Sequence, residues 1–201
     1  MKAVINPLIR KSLLLLLLLN IFLGCNNKTK KNQHEIDDPM LKIANEYWSS
    51  GSDKEQKGDI YGAIADYTKA IQYGSKYSSF YERRASAKID IKDYIGAVND
   101  YTTAIRIENE KHEINFNAFH GRGVAKFFLK DYRGAIQDFN KVIRDDPENY
   151  WREQQMWLYY YRGLSKIGLN QKDSGCMDLS KSGELGLAKA YDAIKTYCQL
   201  N

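Results

Sequence analysis

The sequence predicts an all-α fold, a solenoid of about four helix-turn-helix units followed by a C-terminal capping helix. Three observations lead to this prediction. One sequence segment occurs in three similar copies, small and aromatic residues recur around it at helical spacing, and the end of the chain is amphipathic. The three copies of the segment are GDIYGAIADYTKAI at 58–71, KDYIGAVNDYTTAI at 92–105 and KDYRGAIQDFNKVI at 130–143. A repeat of this length indicates a chain built from similar, stacked supersecondary units.

Each copy of the segment has the pattern of one helix, which we take as the second helix of a unit. When Ala63, Ala97 and Ala135 are aligned, an aromatic residue follows four positions later and a small or β-branched residue three positions after that. These residues are Tyr67, Tyr101 and Phe139, then Ala70, Ala104 and Val142. Steps of four and three place them on one helical face.

A first helix is predicted upstream of each copy. About a dozen residues before each alanine lies another small residue, and an aromatic residue stands four positions further back. The small residues are Gly51, Ala85 and Gly123, and the aromatic ones are Tyr47, Tyr81 and Phe119. Small residues let paired helices approach closely while aromatic rings fill the space between turns. A tight turn such as 92–94 joins the two helices.

The fourth unit is more degenerate. Tyr159 and Gly163 keep the first-helix pattern, while Gly175, Leu179 and Ser182 stand in the second helix. The segment 187–198 is a further amphipathic helix, of the kind that covers the last apolar face of a solenoid.

The units are unevenly spaced along the chain. Ala63 and Ala97 are 34 residues apart, Ala97 and Ala135 are 38 apart, and Ala135 and Gly175 are 40 apart. The extra residues must fall between units, at about 108–115 and 147–156, where helices lengthen or loops project.

The small-and-aromatic spacing, with Pro147 after the third unit, resembles the tetratricopeptide (TPR) family over about residues 44–183. The resemblance implies that a protein or peptide partner binds the inner, concave face lined mainly by the first helices. Carried onto this sequence, it implies a set of partner-binding candidates: Trp48, Glu82, Asn117, His120, Trp157 and Tyr160. Some members of the family hold a partner's C-terminal carboxylate with Lys and Asn side chains. Glu82 and His120 stand at matching places here, so no such clamp is predicted.

The aromatic cluster YWREQQMWLYYY at 150–161 permits two interpretations. Trp157 and Tyr160 would form the most adhesive part of a groove, since interface hot spots favour these residue types. The cluster could equally belong to the core, because Tyr159 is a packing position.

Charged residues recur with the repeat. An arginine precedes the small residue of three first helices, and an aspartate precedes the aromatic residue of each second helix. They could form a basic stripe for an acidic partner, but we predict inter-repeat ion pairs that fix the register between units. The predicted pairs are Asp66 with Arg84, Asp100 with Arg122, and Asp138 with Arg162. The first unit, which has no preceding aspartate, carries Ser50 instead of the arginine.

The first 25 residues, MKAVINPLIRKSLLLLLLLNIFLGC, are typical of an export signal: a short basic start and an apolar run. The run of about eleven residues is shorter than the roughly 20 that a membrane-spanning helix needs. Phe22 to Cys25 resembles the lipobox of bacterial lipoproteins. We therefore expect a signal peptide at 1–24, lipid on Cys25, a polar tether at 25–40 and the repeat domain at 41–201. The alternative is a plain secretory signal without lipid.

This segment implies a location in the cell envelope, with the lipid holding the protein on a membrane. Outside the cytoplasm Cys176 and Cys198 could oxidise to a disulfide, because a hairpin turning near 184–186 would bring them together. The alternative is two small buried thiols.

Nothing in the sequence indicates catalysis, a cofactor or a metal. His34, His112 and His120 lack a second ligand at metal-binding spacing, and no nucleophile or phosphate-binding motif occurs. Without the basic residues of the signal segment, the chain has 27 basic against 25 acidic residues, which gives no argument for a nucleic-acid partner. The sequence predicts a non-enzymatic interaction scaffold. An enzyme of unrecognised type remains a third class.

Overall fold

A computed structural model describes residues 38–145 and 152–198. Within these ranges the chain forms nine helices and no strand. The helices are α1 (Pro39–Gln56), α2 (Ile60–Tyr73), α3 (Ser78–Asp90), α4 (Tyr94–Glu110), α5 (Phe116–Phe128), α6 (Tyr132–Asp145), α7 (Arg152–Gly168), α8 (Lys172–Glu184) and α9 (Ala188–Tyr197). This confirms the predicted all-α class.

The helices pack in chain order, as a solenoid requires. Each odd-numbered helix from α1 to α7 packs on the next helix to form one unit, and each second helix packs on the first helix of the following unit. The first helices α3, α5 and α7 also contact one another. They therefore form a continuous inner face, while α9 packs on α8 at the end of the stack.

The three copies of the repeated sequence resemble one another partly because each contains the N-terminal cap of a second helix. Asp93 accepts a hydrogen bond from the backbone N of Gly96 at 2.9 Å and so caps α4. A Cβ on Gly96 would stand 2.1 Å from Asp93 Oδ2, so any other residue at this place would displace the capping carboxylate. The same arrangement occurs for Asp59 with Gly62 and for Asp131 with Gly134.

Small residues and aromatic rings pack as their spacing predicts. Tyr67 and Phe139 are fully buried between the helices of their units. A Cβ on Gly51 would lie 2.6 Å from the Tyr67 ring, and one on Gly123 would lie 2.7 Å from Phe139. These glycines therefore set how closely α1 approaches α2 and how closely α5 approaches α6.

The first uneven junction is explained by a longer helix. α4 has 17 residues where α2 has 14, and residues 111–115 then connect it to α5. The second junction falls partly on 146–151, outside the described residues.

The C-terminal cap forms as expected. α8 ends at Glu184, the chain turns through Gly186 with a φ of 113°, and α9 begins at Ala188. The structure joins Cys176 to Cys198 in a disulfide with a Cα separation of 5.8 Å. The bridge ties the start of α8 to the end of α9.

At the N-terminal end, α1 begins two residues before the predicted domain start. Asp38 accepts a hydrogen bond from the backbone N of Met40 at 2.9 Å, and Pro39 occupies the first turn, where proline is tolerated. The predicted signal peptide, the lipidation site Cys25 and most of the tether lie outside the described residues. In the part of the chain that the structure describes, no helix has the length and apolar character to cross a membrane.

Candidate functional site

The repeated arginines bind aspartates of their own units, so the predicted pairing was wrong. Arg84 donates from Nε and Nη2 to the two carboxylate oxygens of Asp100, at 2.8 and 2.7 Å, and Lys88 donates to the same carboxylate at 2.8 Å. The same triad recurs one unit later with Arg122, Lys126 and Asp138, and again with Arg162, Lys166 and Asp178. The predicted pairs Asp66–Arg84, Asp100–Arg122 and Asp138–Arg162 are therefore each displaced by one unit.

The reason is the hairpin formed by each unit. A tight turn folds the second helix back along the first, so that Arg84 stands directly across from Asp100, sixteen residues later. The third nitrogen, Nη1, points the other way and donates to Thr68 of the preceding unit at 3.1 Å. Arg122 and Arg162 reach Thr102 and Asn140 in the same way, at 3.3 and 2.8 Å. The arginines do link neighbouring units, but through neutral acceptors.

The first unit replaces the arginine without leaving its aspartate unpaired. Ser50 and Lys54 each donate to Asp66 Oδ2 at 2.6 Å. Among the described residues no second helix precedes α1, so an arginine there would have none to reach. The three repeated arginines are at most 17% exposed, so they do not form a stripe that is open to a partner.

Three of the six partner-binding candidates meet in one pocket of about 290 Å³ on the inner face. Trp48 comes from α1, Glu82 from α3 and Asn117 from α5. The remaining lining residues are Ser79, Arg83, Ser86 and Tyr101. The pocket thus spans the first helices of three successive units, with Tyr101 of α4 reaching it from the second layer.

Trp48 forms one wall. Its ring packs against the apolar clusters around Ala44 and Tyr67, and the guanidinium of Arg83 lies over it, 5.9 Å from the ring centre. The indole Nε1 is buried and has no hydrogen-bond acceptor within the described residues. Trp48 therefore serves as core and pocket lining together.

Glu82 supplies the pocket's negative charge. Its Oε1 accepts a hydrogen bond from Asn115 Nδ2 at 2.7 Å. Burial raises the pKa of Glu82 above its ordinary value, and the neighbouring charge of Glu108 raises it further, while the hydrogen bond from Asn115 and the charge of Arg83 oppose that rise. The carboxylate is held in a partly dehydrated place where its charge is costly.

His120, by contrast, is a packing residue outside this pocket. Its ring lies edge-on to Phe139 with 6.0 Å between the ring centres. Burial lowers the pKa of His120 to about 4, so the imidazole is neutral near pH 7.

Within the described part of the aromatic C-terminal cluster, Leu158 and Tyr160 are buried core residues. Tyr150 and Trp151 lie outside the described residues. Tyr160 is only 7% exposed, packed with Leu179, Leu187 and Ala190, which corrects its place among the partner-binding candidates. Trp157 is partly buried against the same cluster. The cap covers these residues as the first helix of a fifth unit would. Tyr160 is therefore closed to a partner, whereas the pocket between α1, α3 and α5 is open.

Four lining residues, Ser79, Arg83, Ser86 and Tyr101, are not among the six named candidates. Tyr101 had been assigned to packing, yet its ring passes Gly121 so closely that a Cβ there would lie 2.2 Å away. Gly121, which stands beside the packing glycine Gly123 in the sequence, was the available signal that an aromatic ring reaches between α3 and α5. No pattern marked Arg83.

Comparison with solved structures defines the architecture. The Arabidopsis OM64 TPR domain is 21% identical, with a TM-score of 0.53 over 66% of this chain and 98% of its own. MamA from Desulfovibrio magneticus RS-1, residues 41 to the end, is 18% identical, with a TM-score of 0.64 over 73% of this chain and 77% of its own. This is a TPR-like solenoid.

One further TPR neighbour was solved with a bound peptide. The second TPR domain of human RPAP3, solved in complex with the HSP70 peptide SGPTIEEVD, is 26% identical, with a TM-score of 0.53 over 63% of this chain and 95% of its own. No family model and no curated protein sequence matches this chain. The described residues contain no group of three or more His, Cys, Asp or Glu side chains arranged to hold a metal ion.

Proposed function

We propose that the protein is a non-enzymatic scaffold that holds an extended segment of a partner protein in the groove formed by α1, α3 and α5. The observation that carries this proposal is the pocket that Trp48, Glu82 and Asn117 form together on the inner face. Concave sites with aromatic walls and a few placed polar groups are the usual form of binding sites. The RPAP3 domain, which shares the fold, offers a precedent for peptide binding.

The mode of peptide binding differs from a grip on a terminal carboxylate. A half-buried Glu82 at the centre of the pocket would repel such an anion. His120, neutral and packed on Phe139, does not offset that charge. The partner is therefore held along the chain rather than by its acidic end.

Filling the groove tests this proposal. Ser79 is exposed and lines the pocket, so Ser79→Trp would occupy the groove without removing a core side chain. The matched control is Ser180→Trp, because Ser180 is exposed on α8, outside the residues that line the pocket. Partners cross-linked to the wild-type protein in its native cells should disappear with Ser79→Trp and remain with Ser180→Trp. Equal recovery with both variants would move the interface elsewhere.

We also propose that the protein is exported and anchored in a bacterial envelope by lipid on Cys25. The sequence of the first 25 residues supports this, and the disulfide between Cys176 and Cys198 fits an oxidising compartment. Two acyl chains would hold the protein on a membrane far more firmly than one. The alternative is an accessory subunit of an envelope complex, secreted or periplasmic and without lipid.

Mass spectrometry of the mature N-terminus separates these alternatives. A diacyl- or triacyl-cysteine at residue 25 is the expected result. An unmodified cleavage product would favour the subunit without lipid, and an intact Met1 would contradict export in either form.

A further inference from the structure

The carboxylate of Glu82 is fixed in the pocket by the start of the next unit. Asn115 donates from Nδ2 to Glu82 at 2.7 Å and accepts from the backbone N of Ala118 at 2.9 Å. Both ends of the Asn115 amide are thus held, and the side chain caps α5 while it orients Glu82. Among the described residues Asn115 is the only hydrogen-bond donor to Glu82, so its second carboxylate oxygen remains open to a donor in the pocket.

No cation of the described chain contacts this carboxylate. Arg83 lowers the pKa of Glu82 through space, but its guanidinium lies over the Trp48 ring and forms no ion pair within the described residues. The contrast with Asp100 is direct, because that carboxylate holds both Arg84 and Lys88. A carboxylate that is partly dehydrated and lacks an ion pair gains more from an incoming cation than one that is already paired.

The residues that line the pocket include one acidic side chain, Glu82, and one basic side chain, Arg83. Burial raises the pKa of Tyr101 first, and the negative charges of Glu82 and Asp90 raise it further. Glu108 likewise raises the pKa of Glu82. Around Tyr101 the negative charges of Glu82 and Asp90 act more strongly than the positive charge of Arg83, which lowers the pKa of Tyr101.

The walls of the pocket suit the stem of a long basic side chain. Trp48 and Tyr101 provide aromatic surface. Ser79 and Ser86, which are in the same helix as Glu82, also line the pocket. Lysine and arginine combine an aliphatic stem, which packs on such surface, with a cationic head. Aromatic faces also attract cations directly.

We propose that this pocket binds a lysine or arginine side chain of the partner segment. The ammonium or guanidinium pairs with Glu82, and the stem packs between Trp48 and Tyr101. This inference rests on the proposed function of the groove and names the chemistry of its ligand.

A random heptapeptide display library tests the inference, with the chain from residue 25 onward as the target. The library is selected in parallel against wild type, Glu82→Gln and Glu110→Gln. Glu82→Gln retains an amide oxygen that can accept from Asn115, so the site stays folded while its charge is lost. Glu110→Gln removes an equal charge from the exposed end of α4, where Glu110 pairs with Arg106.

Selected peptides should carry Lys or Arg at one fixed position, several-fold above the library frequency, with wild type and with Glu110→Gln. The enrichment should vanish with Glu82→Gln. In one such peptide made synthetically, replacing the basic residue with uncharged norleucine should raise Kd about tenfold on wild type and less than twofold on Glu82→Gln, since a charge-assisted hydrogen bond is lost only on wild type.

The outcomes separate the two proposals. Peptides that Ser79→Trp excludes but that lack basic enrichment, or that carry Asp or Glu and depend on Arg83, overturn the cationic ligand and leave the groove standing. A selection in which no peptide is excluded by Ser79→Trp overturns the groove itself.

Discussion

The Asp100 carboxylate is the shared ion-pair partner of one Arg and one Lys. Arg84 and Lys88 converge on it, and its side chain is 7% exposed. Removing one member of a buried ion cluster leaves the others charged and uncompensated, which is strongly destabilising. We expect Asp100→Asn to lower the free energy of unfolding by about 3 kcal/mol, measured by urea denaturation.

The control for that substitution lies on the same helix. Glu110 pairs with Arg106 at 2.6 Å, but both side chains are 62% exposed. Surface pairs contribute at most about 1 kcal/mol, so Glu110→Gln should change stability by far less than Asp100→Asn. Similar losses for the two variants would contradict the structural role given to Asp100.

Unlike Asp100, Glu82 is expected to lower the stability of the folded protein at neutral pH. Its pKa is raised in the folded protein, chiefly by burial, above an ordinary value near 4.5. The folded state therefore binds the proton more tightly than the unfolded chain does. The associated stabilisation is fully present below the unfolded pKa and is lost as pH rises through the folded pKa.

Glu82→Gln should consequently be more stable than wild type at pH 7, and this difference should shrink as the pH falls towards 4. Urea unfolding of both proteins at the two pH values measures it. A variant that is less stable than wild type at pH 7 would show that Glu82 is a structural residue rather than one held for binding.

At the scale of the element, the start of each second helix depends on two residues together. In most helix interiors Gly→Ala stabilises by up to about 1 kcal/mol. At Gly96 the new Cβ would collide with the Asp93 carboxylate at 2.1 Å, so the cap must be released. Gly96→Ala should therefore leave stability nearly unchanged, because losing the N-cap costs about 1 kcal/mol and cancels the gain in helix propensity.

A double-mutant cycle isolates this interaction. Once Asp93→Ala has removed the cap, Gly96→Ala should stabilise the protein. Thermal denaturation of the four proteins measures the coupling, and strictly additive effects would contradict the explanation.

The cap disulfide acts on the last element of the stack. It closes a sequence separation of 22 residues between α8 and α9. Replacing both Cys176 and Cys198 with Ser should lower the free energy of unfolding by about 3 kcal/mol. Hydrogen exchange should rise first in α9, because the described part of α9 packs chiefly on α8. Uniform loss of protection across α1 to α8 would contradict a local role.

Across the whole molecule, the features that could be predicted from the sequence are those that recur in every unit or close the stack. The helix pairs, the small residues opposite aromatic rings and the cap all follow from spacing, which local packing dictates. The partner of Arg84 could not be read in this way, since aspartates stand 18 residues before it and 16 after it. Only the hairpin geometry decides between them. The pocket likewise could not be predicted from the sequence, because its lining residues come from three units that only the fold brings together.

The packing of α9 explains why Tyr160 is closed to a partner. Tyr160 stands where Trp48 and Glu82 stand in earlier units, but α9 covers it together with Leu179. The terminal helix takes the place of a further repeat. The apolar face that it covers is unavailable to a partner, and covering it keeps the protein soluble.

Ending the chain at Glu184 tests this role of α9. Removing Leu187, Ala190 and Ala193 should expose Tyr160, Trp157 and Leu179 as one apolar patch. Exposed patches of this kind associate, so the truncated protein should bind hydrophobic dyes and form concentration-dependent oligomers in light scattering. The full chain with both bridged cysteines changed to Ser retains α9 and is the control, which should bind much less dye. A truncated protein that stays monomeric and dye-free would show that α9 is not needed to cover this apolar patch.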